Sequence, residues 1–163
     1  MKLWIIYKNG ISFSKVLAEM LQDRLEEFID VDVGKAEMID PAFLVEEKLD
    51  YLIIGDIISE KIPSLEIQDW LLKYRVYSEN SNTIVRALSG FYVSGIENPV
   101  APTWDEFLRE NVRAELIYPP ILHLKMDKVK LNLEKGALEL VKGYSRDFIE
   151  FFINGEVKNK KKR

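Results

Sequence analysis

The chain has 163 residues, 47% hydrophobic content, a formal net charge of −4 and no cysteine. That length suits one domain with a core that needs no covalent staples, and the absence of cysteine excludes disulfides, thiolate metal sites and cysteine nucleophiles. Lys158, Lys160, Lys161, Lys162 and Arg163 hold five of the 23 basic residues, leaving 18 against 27 acids elsewhere, an acidic body unlike the clustered cations of a nucleic-acid surface.

The first ten residues, MKLWIIYKNG, carry too short an apolar run for a signal peptide, and no stretch approaches membrane-spanning length. A cytoplasmic protein with no membrane span is expected. Residues 2–7 are nearly continuously apolar, as in a central parallel strand buried on both faces. After the polar turn Lys8-Asn9-Gly10, residues Val16, Leu17, Met20, Leu21, Leu25 and Phe28 recur at helical spacing, predicting a helix over 13–27. Ile29, Val31 and Val33 alternate with Asp30 and Asp32, the pattern of a strand nearer the sheet edge. Asp40-Pro41 is a helix start, predicting a short helix over 41–48.

Tyr51 to Gly55 reads as another buried strand, ending at Gly55-Asp56. Pro63-Ser64 opens a helix over 65–77, which the polar cluster Ser78 to Asn82 should break. A strand over 84–93 contains the small residues Ala87, Ser89 and Gly90, so a close approach to its backbone is expected. Beyond the turn-rich loop from Ser94-Gly95 to Pro102, Thr103-Trp104-Asp105-Glu106 has the form of a capping box opening a helix over 104–113. Residues 115–126 predict a strand interrupted by Pro119-Pro120, and Ala137 to Phe152 a last helix capped by Asn132 and stopped at Asn154-Gly155. The domain is placed at 1–156, with 157–163 a solvated basic tail.

Five strands alternating with five helices predict a three-layer α/β sandwich, a five-stranded parallel sheet in the order 2-1-3-4-5 with helices on both faces. The switch point then lies between strands one and three, where such sheets bind ligands. Loops 8–14 and 55–63 should flank that crevice, with 94–103 the next wall.

In this layout the chain resembles the flavodoxin-like family, and within it the flavodoxin domain of menaquinone-dependent protoporphyrinogen oxidases. The resemblance rests on Ile5-Ile6-Tyr7 leading into the turn, on Tyr51 to Gly55 followed by Ile62-Pro63 and a helix, and on Leu133-Glu134-Lys135 before the last helix. It implies an FMN cofactor and electron transfer or another flavin-dependent redox reaction. Asn9, Gly10, Ser12 and Ser14 would hold the phosphate, Gly55 and Asp56 would line the crevice, and Ser94, Gly95 and Trp104 would meet the ring. Ser14 matches the family's final hydroxyl. Ser12 stands where glycine is usual and Phe13 where Asn or Gln is usual, and the loop 55–63 has no aromatic.

An acidic body implies a basic redox partner, and a homodimer is compatible with the sequence. The alternative is a domain of the same fold without cofactor, serving as a protein-binding or assembly module. Ser12 and Ser14 can equally be helix caps, and Trp104 can pack on its own loop. Phosphoacceptor receiver domains also place an aspartate after strand three and a lysine after strand five, positions held here by Asp56 and Lys125. They need an acidic pair after strand one for Mg²⁺, where this chain has Tyr7-Lys8-Asn9. The single histidine, His123, excludes a two-histidine metal site.

Overall fold

The apolar run KLWIIY forms β1 (Lys2–Tyr7), the axis of the sheet in a computed structural model that describes residues 1–8, 10, 13–58, 62–95, 102–117, 121–127 and 129–154. Its side chains alternate between two cores. Leu3, Ile5 and Tyr7 enter the layer beneath α1 (Phe13–Leu25) and α5 (Ala137–Phe148). Trp4 and Ile6 enter the layer beneath α2 (Pro41–Glu47), α3 (Leu65–Asn80) and α4 (Pro102–Asn111). A strand sealed on both faces has to be apolar at both parities, which is why its sequence shows no polar alternation.

β1 pairs in parallel with β2 (Asp30–Lys35) on one side and β3 (Tyr51–Ile57) on the other. β3 pairs in turn with β4 (Val85–Gly95). At the β2 edge, Lys2 reaches both Asp30 and Asp32, and these charges guard the open strand. Asp40 caps α2 by accepting from the Ala42 N–H at 2.9 Å.

Among the described residues the sheet has seven strands rather than five. The expected strand over 115–126 divides into β5 (Ala114–Ile117) and β6 (Leu122–Asp127), which lie in tandem along the eleven-residue β4, both parallel to it. Pro119 and Pro120 lie outside the described residues; neither has an N–H for a ladder, so one uninterrupted strand there is disfavoured. A two-residue strand, β7 (Asn132–Leu133), pairs antiparallel with β6. The order is β2-β1-β3-β4-β6-β7, with β5 also on β4.

Several helix boundaries differ from expectation, α1, α2 and α4 ending one or two residues early at Leu25, Glu47 and Asn111. Asn132 belongs to β7, and α5 starts after Gly136, whose φ of 90° is left-handed and suits a residue without a Cβ. α4 begins at Pro102, which puts Thr103 inside the first turn rather than at the cap. α3 continues to Asn80 because Ser78 turns its hydroxyl onto the Arg75 carbonyl, at 3.0 Å, and is buried in the helix's own wall. Beyond α5 the chain widens into a π-helical extension, Ile149–Asn154.

Candidate functional site

The carboxyl ends of β1 and β3 lie side by side, joined by the Lys8 N–H donating to the Gly55 carbonyl at 2.9 Å. This is the switch point, since β2 continues on one side of β1 and β3 on the other. The chain returns into α1 through a turn closed by Ser14, whose buried hydroxyl donates to the Lys8 carbonyl at 2.6 Å. α1 has no acid in its first turn, so its N–H groups meet no competing carboxylate there. Lys15 lies beside Glu19 at 3.5 Å, and the Lys8 ammonium donates to the Ile57 carbonyl at 3.3 Å.

A cleft of about 540 Å³ opens here, lined by Lys8, Ile57, Ile58, Pro63, Ser64 and Gln68 among others. Ser64 stands at the N-cap of α3 without using its side chain as a cap. Its buried hydroxyl lies near Asp56 and helps to lower that carboxyl's pKa, yet makes no well-formed hydrogen bond.

Asp56 performs the capping instead. It is fully buried, and its Oδ1 accepts from the Ile57 N–H at 2.8 Å. Its Oδ2 accepts from the Ser64 N–H at 2.8 Å and from the Trp104 indole N–H at 3.1 Å. Burial pushes its pKa above the usual carboxylate value, opposed first by the Ser64 backbone hydrogen bond and also by Trp104 and Lys8. One carboxylate thus fastens β3, α3 and α4 behind the cleft.

Trp104 is fully buried, set 5.0 Å from the Tyr92 ring, centroid to centroid. A Cβ at Gly90 would lie 2.8 Å from both the Trp104 ring and the Ile54 carbonyl. On the opposite face Tyr144 donates to Ser89 Oγ at 2.6 Å. These two rings make the close approach to the small residues of β4. Phe91 likewise covers Gly55. At the end of β4, Ser94 Oγ lies 2.6 Å from His123 Nε2, and the imidazole stacks on Tyr92 at 4.5 Å. Burial, reinforced by Lys125, lowers the His123 pKa.

The residues named from sequence therefore separate into two groups. Gly10 is exposed at the turn after β1, with Ser14 behind it, and Asn9 and Ser12 lie outside the described residues. Gly55, Asp56, Ser94, Gly95 and Trp104 gather around the end of the sheet but are all buried. Trp104 in particular presents no open face to the cleft, because the Asp56 hydrogen bond and the glycine beneath it draw the ring inward. The burial of Asp56 also removes it as a phosphoacceptor, and no group of three metal-ligating side chains occurs among the described residues.

Sequence reasoning passed over Lys8 and the Ser94–His123 pair. Lys8 was legible as the first cation after a buried strand. The pair joins positions 29 residues apart and needed the register of β4 on β6.

The start of α1, without an acid in its first turn, lies beside Lys8, while Glu66 brings a carboxylate to the cleft on the α3 side; a phosphoryl group would fit on the Lys8 side. The described wall offers a flavin ring the aliphatic side chains of Ile57 and Leu65 rather than an aromatic face.

No helix among the described residues is long and apolar enough to cross a membrane. No protein-family model and no curated protein matches the sequence. Solved structures do match in shape. An archaeal flavodoxin superposes with a TM-score of 0.71 at 16% identity, covering 92% of this chain and 97% of its own. Oxidised Flavodoxin 2 from Bacillus cereus superposes at 0.69 and 18% identity, covering 93% and 100%. The rubredoxin oxygen:oxidoreductase of Desulfovibrio gigas superposes at 0.63 and 13% identity, covering 90% of this chain and 35% of its own. With the β2-β1-β3-β4 core, the helices on both faces and the cleft at the switch point, these likenesses establish that the chain has the flavodoxin-like fold.

Proposed function

We propose that this protein binds FMN at the switch-point cleft and acts in electron transfer or a flavin-dependent redox reaction. The observation that carries the reading is the start of α1, free of carboxylates in its first turn and tied to the Lys8 carbonyl at the end of β1 through Ser14. The N–H groups of that helix start, with Asn9, Gly10 and Ser12, would hold the phosphate. Ser14 would act by fixing the turn through the Lys8 carbonyl. The flavin supplies reversible one- and two-electron chemistry, and the protein supplies binding and tuning. Fold neighbours described as oxidised and two-electron reduced flavodoxins support a redox role.

The acidic body would steer the protein to a basic partner, with association slowing as salt rises. An association rate independent of salt would contradict that steering.

A second reading, a cofactor-free binding module, draws on the burial of Trp104, Tyr92 and Phe91. The visible spectrum of freshly purified protein distinguishes the two. Flavin bands that bleach on dithionite reduction and return in air support the first reading. A colourless protein that stays colourless after incubation with FMN and desalting supports the second.

A further inference from the structure

β6 and β7 form a hairpin whose turn, residues 128–131, lies beyond the last ladder pair, Asp127 with Asn132. Two apolar side chains stand at its tip. Val129 is 93% exposed, more than any other large apolar side chain among the described residues, and Leu131 is 58% exposed. Leu131 has a φ of 51°, a left-handed conformation that glycine or asparagine adopts more readily, so an apolar residue is kept there against local preference.

The hairpin is also cationic in an acidic chain. From Lys125 to Lys135 it carries four lysines against one aspartate and one glutamate. Both acids are turned onto its own backbone. Asp127 accepts from the Val129 and Lys130 N–H groups at 2.9 and 3.1 Å, and Glu134 accepts from the Lys125 N–H at 3.0 Å. Lys125, Lys130 and Lys135 form no salt bridge with a described carboxylate, and Lys128 lies outside the described residues.

We propose that this hairpin is a contact site for an anionic lipid bilayer, with Val129 and Leu131 entering the headgroup region and the lysines around them meeting lipid phosphates. Lysine suits that place, because its aliphatic stem can lie among apolar groups while the ammonium stays at phosphate level. A protein partner fits the same surface less well. A standard interface covers roughly 800 Å² per partner and is enriched in aromatic and arginine side chains, and a narrow turn of valine, leucine and lysine supplies neither. Shallow insertion, about 5–10 Å deep, needs only an apolar tip ringed by cations. The acids of the body oppose approach to an anionic surface, but at a Debye length of about 8 Å those on the far faces are screened while the tip is in contact.

β6 runs parallel to β4, and β4 to β3, so the hairpin stands at the carboxyl end of the sheet, two strand spacings or about 10 Å from β3. Contact there brings the switch-point end of the sheet to the bilayer. Lipid contact does not depend on bound flavin, so the two readings fail separately.

Co-sedimentation of the full chain, without added FMN, with extruded vesicles tests this. On phosphatidylcholine vesicles containing about 40% phosphatidylglycerol at low salt, the protein should bind at least about tenfold more strongly than on phosphatidylcholine alone, and lose most of that preference at about 0.5 M NaCl. Val129→Ser should weaken binding about threefold or more, and Lys130→Glu combined with Lys135→Glu about tenfold or more. Circular dichroism should be unchanged in both variants, because all three side chains are exposed. Equal binding to both vesicle types, no binding to either, or hairpin variants that bind like wild type would overturn the proposal. Binding lost only when Lys158, Lys160, Lys161, Lys162 and Arg163 are replaced by serine would assign the lipid contact to the tail. Retention on immobilised polyglutamate without vesicle binding would assign the hairpin to an acidic protein, and either result overturns the proposal equally.

Discussion

Asp56 accepts a hydrogen bond from the Trp104 indole at 3.1 Å across 48 residues of sequence, with both side chains fully buried. The same carboxylate takes the Ile57 and Ser64 N–H groups. Replacing Asp56 by alanine strands three buried donors, each costing about 1–3 kcal/mol with partial relief by relaxation. Asp56→Ala should therefore lose about 3–5 kcal/mol in urea unfolding. The Asp56 pKa is raised in the folded state, so the native protein holds the proton more tightly than the unfolded chain. Its contribution to stability accordingly falls as pH rises from the unfolded value of 3.8 through the raised folded value. Asp56→Asn should remove that downward slope, read from unfolding midpoints across acidic pH.

Gly90 is required by the same construction. An added methyl meets both the Trp104 ring and a backbone carbonyl at 2.8 Å. Gly90→Ala should destabilise by about 1–3 kcal/mol through overpacking. Near-ultraviolet circular dichroism should register the displaced indole, and an unchanged spectrum with unchanged stability would show that the ring has room to retreat.

His123 is the sole histidine, so one imidazole signal in an NMR titration reports it without ambiguity. Burial and Lys125 hold its pKa below 6.5. The native state then binds fewer protons than the unfolded chain, and stability falls as pH drops from 6.5 through the folded pKa. His123→Gln should flatten this part of the stability profile. A midpoint at or above 6.5 in the folded protein would contradict the assignment.

Ser14 closes the turn between β1 and α1. Removing its hydroxyl leaves the Lys8 carbonyl without that donor, and Ser14→Ala should cost about 1–2 kcal/mol. Thermal melting checks it, and under the proposed function FMN affinity should fall too, because the turn positions the helix start.

The sheet was legible where burial is two-sided. β1 and β3 are apolar at both parities, and the β4 residues Ala87, Ser89 and Gly90 announced a close approach to the backbone. The sequence did not say which rings these were, because Trp104 and Tyr144 lie on helices from opposite layers. Trp104 at a helix start reads the same whether it faces a cleft or the core. Only the partner of its indole N–H decides, and Asp56 lies in a different element. The divided edge strand escaped for a similar reason: Pro119-Pro120 mark an interruption, but the length of β4 determines that both pieces pair with one strand. Asn132 has the chemistry of a helix cap and was drawn into β7 by pairing with β6.

Titration of the apoprotein with FMN, followed by flavin fluorescence, decides whether the proposed switch-point cleft takes the cofactor. Saturable one-to-one binding is expected, with a Kd at or below about 10 μM, roughly −7 kcal/mol. Lys8→Glu should weaken binding about tenfold, or 1.4 kcal/mol, while leaving the unfolding midpoint within the small range of a surface change. No binding at tens of micromolar FMN, or equal affinity in Lys8→Glu, would contradict the proposed FMN site.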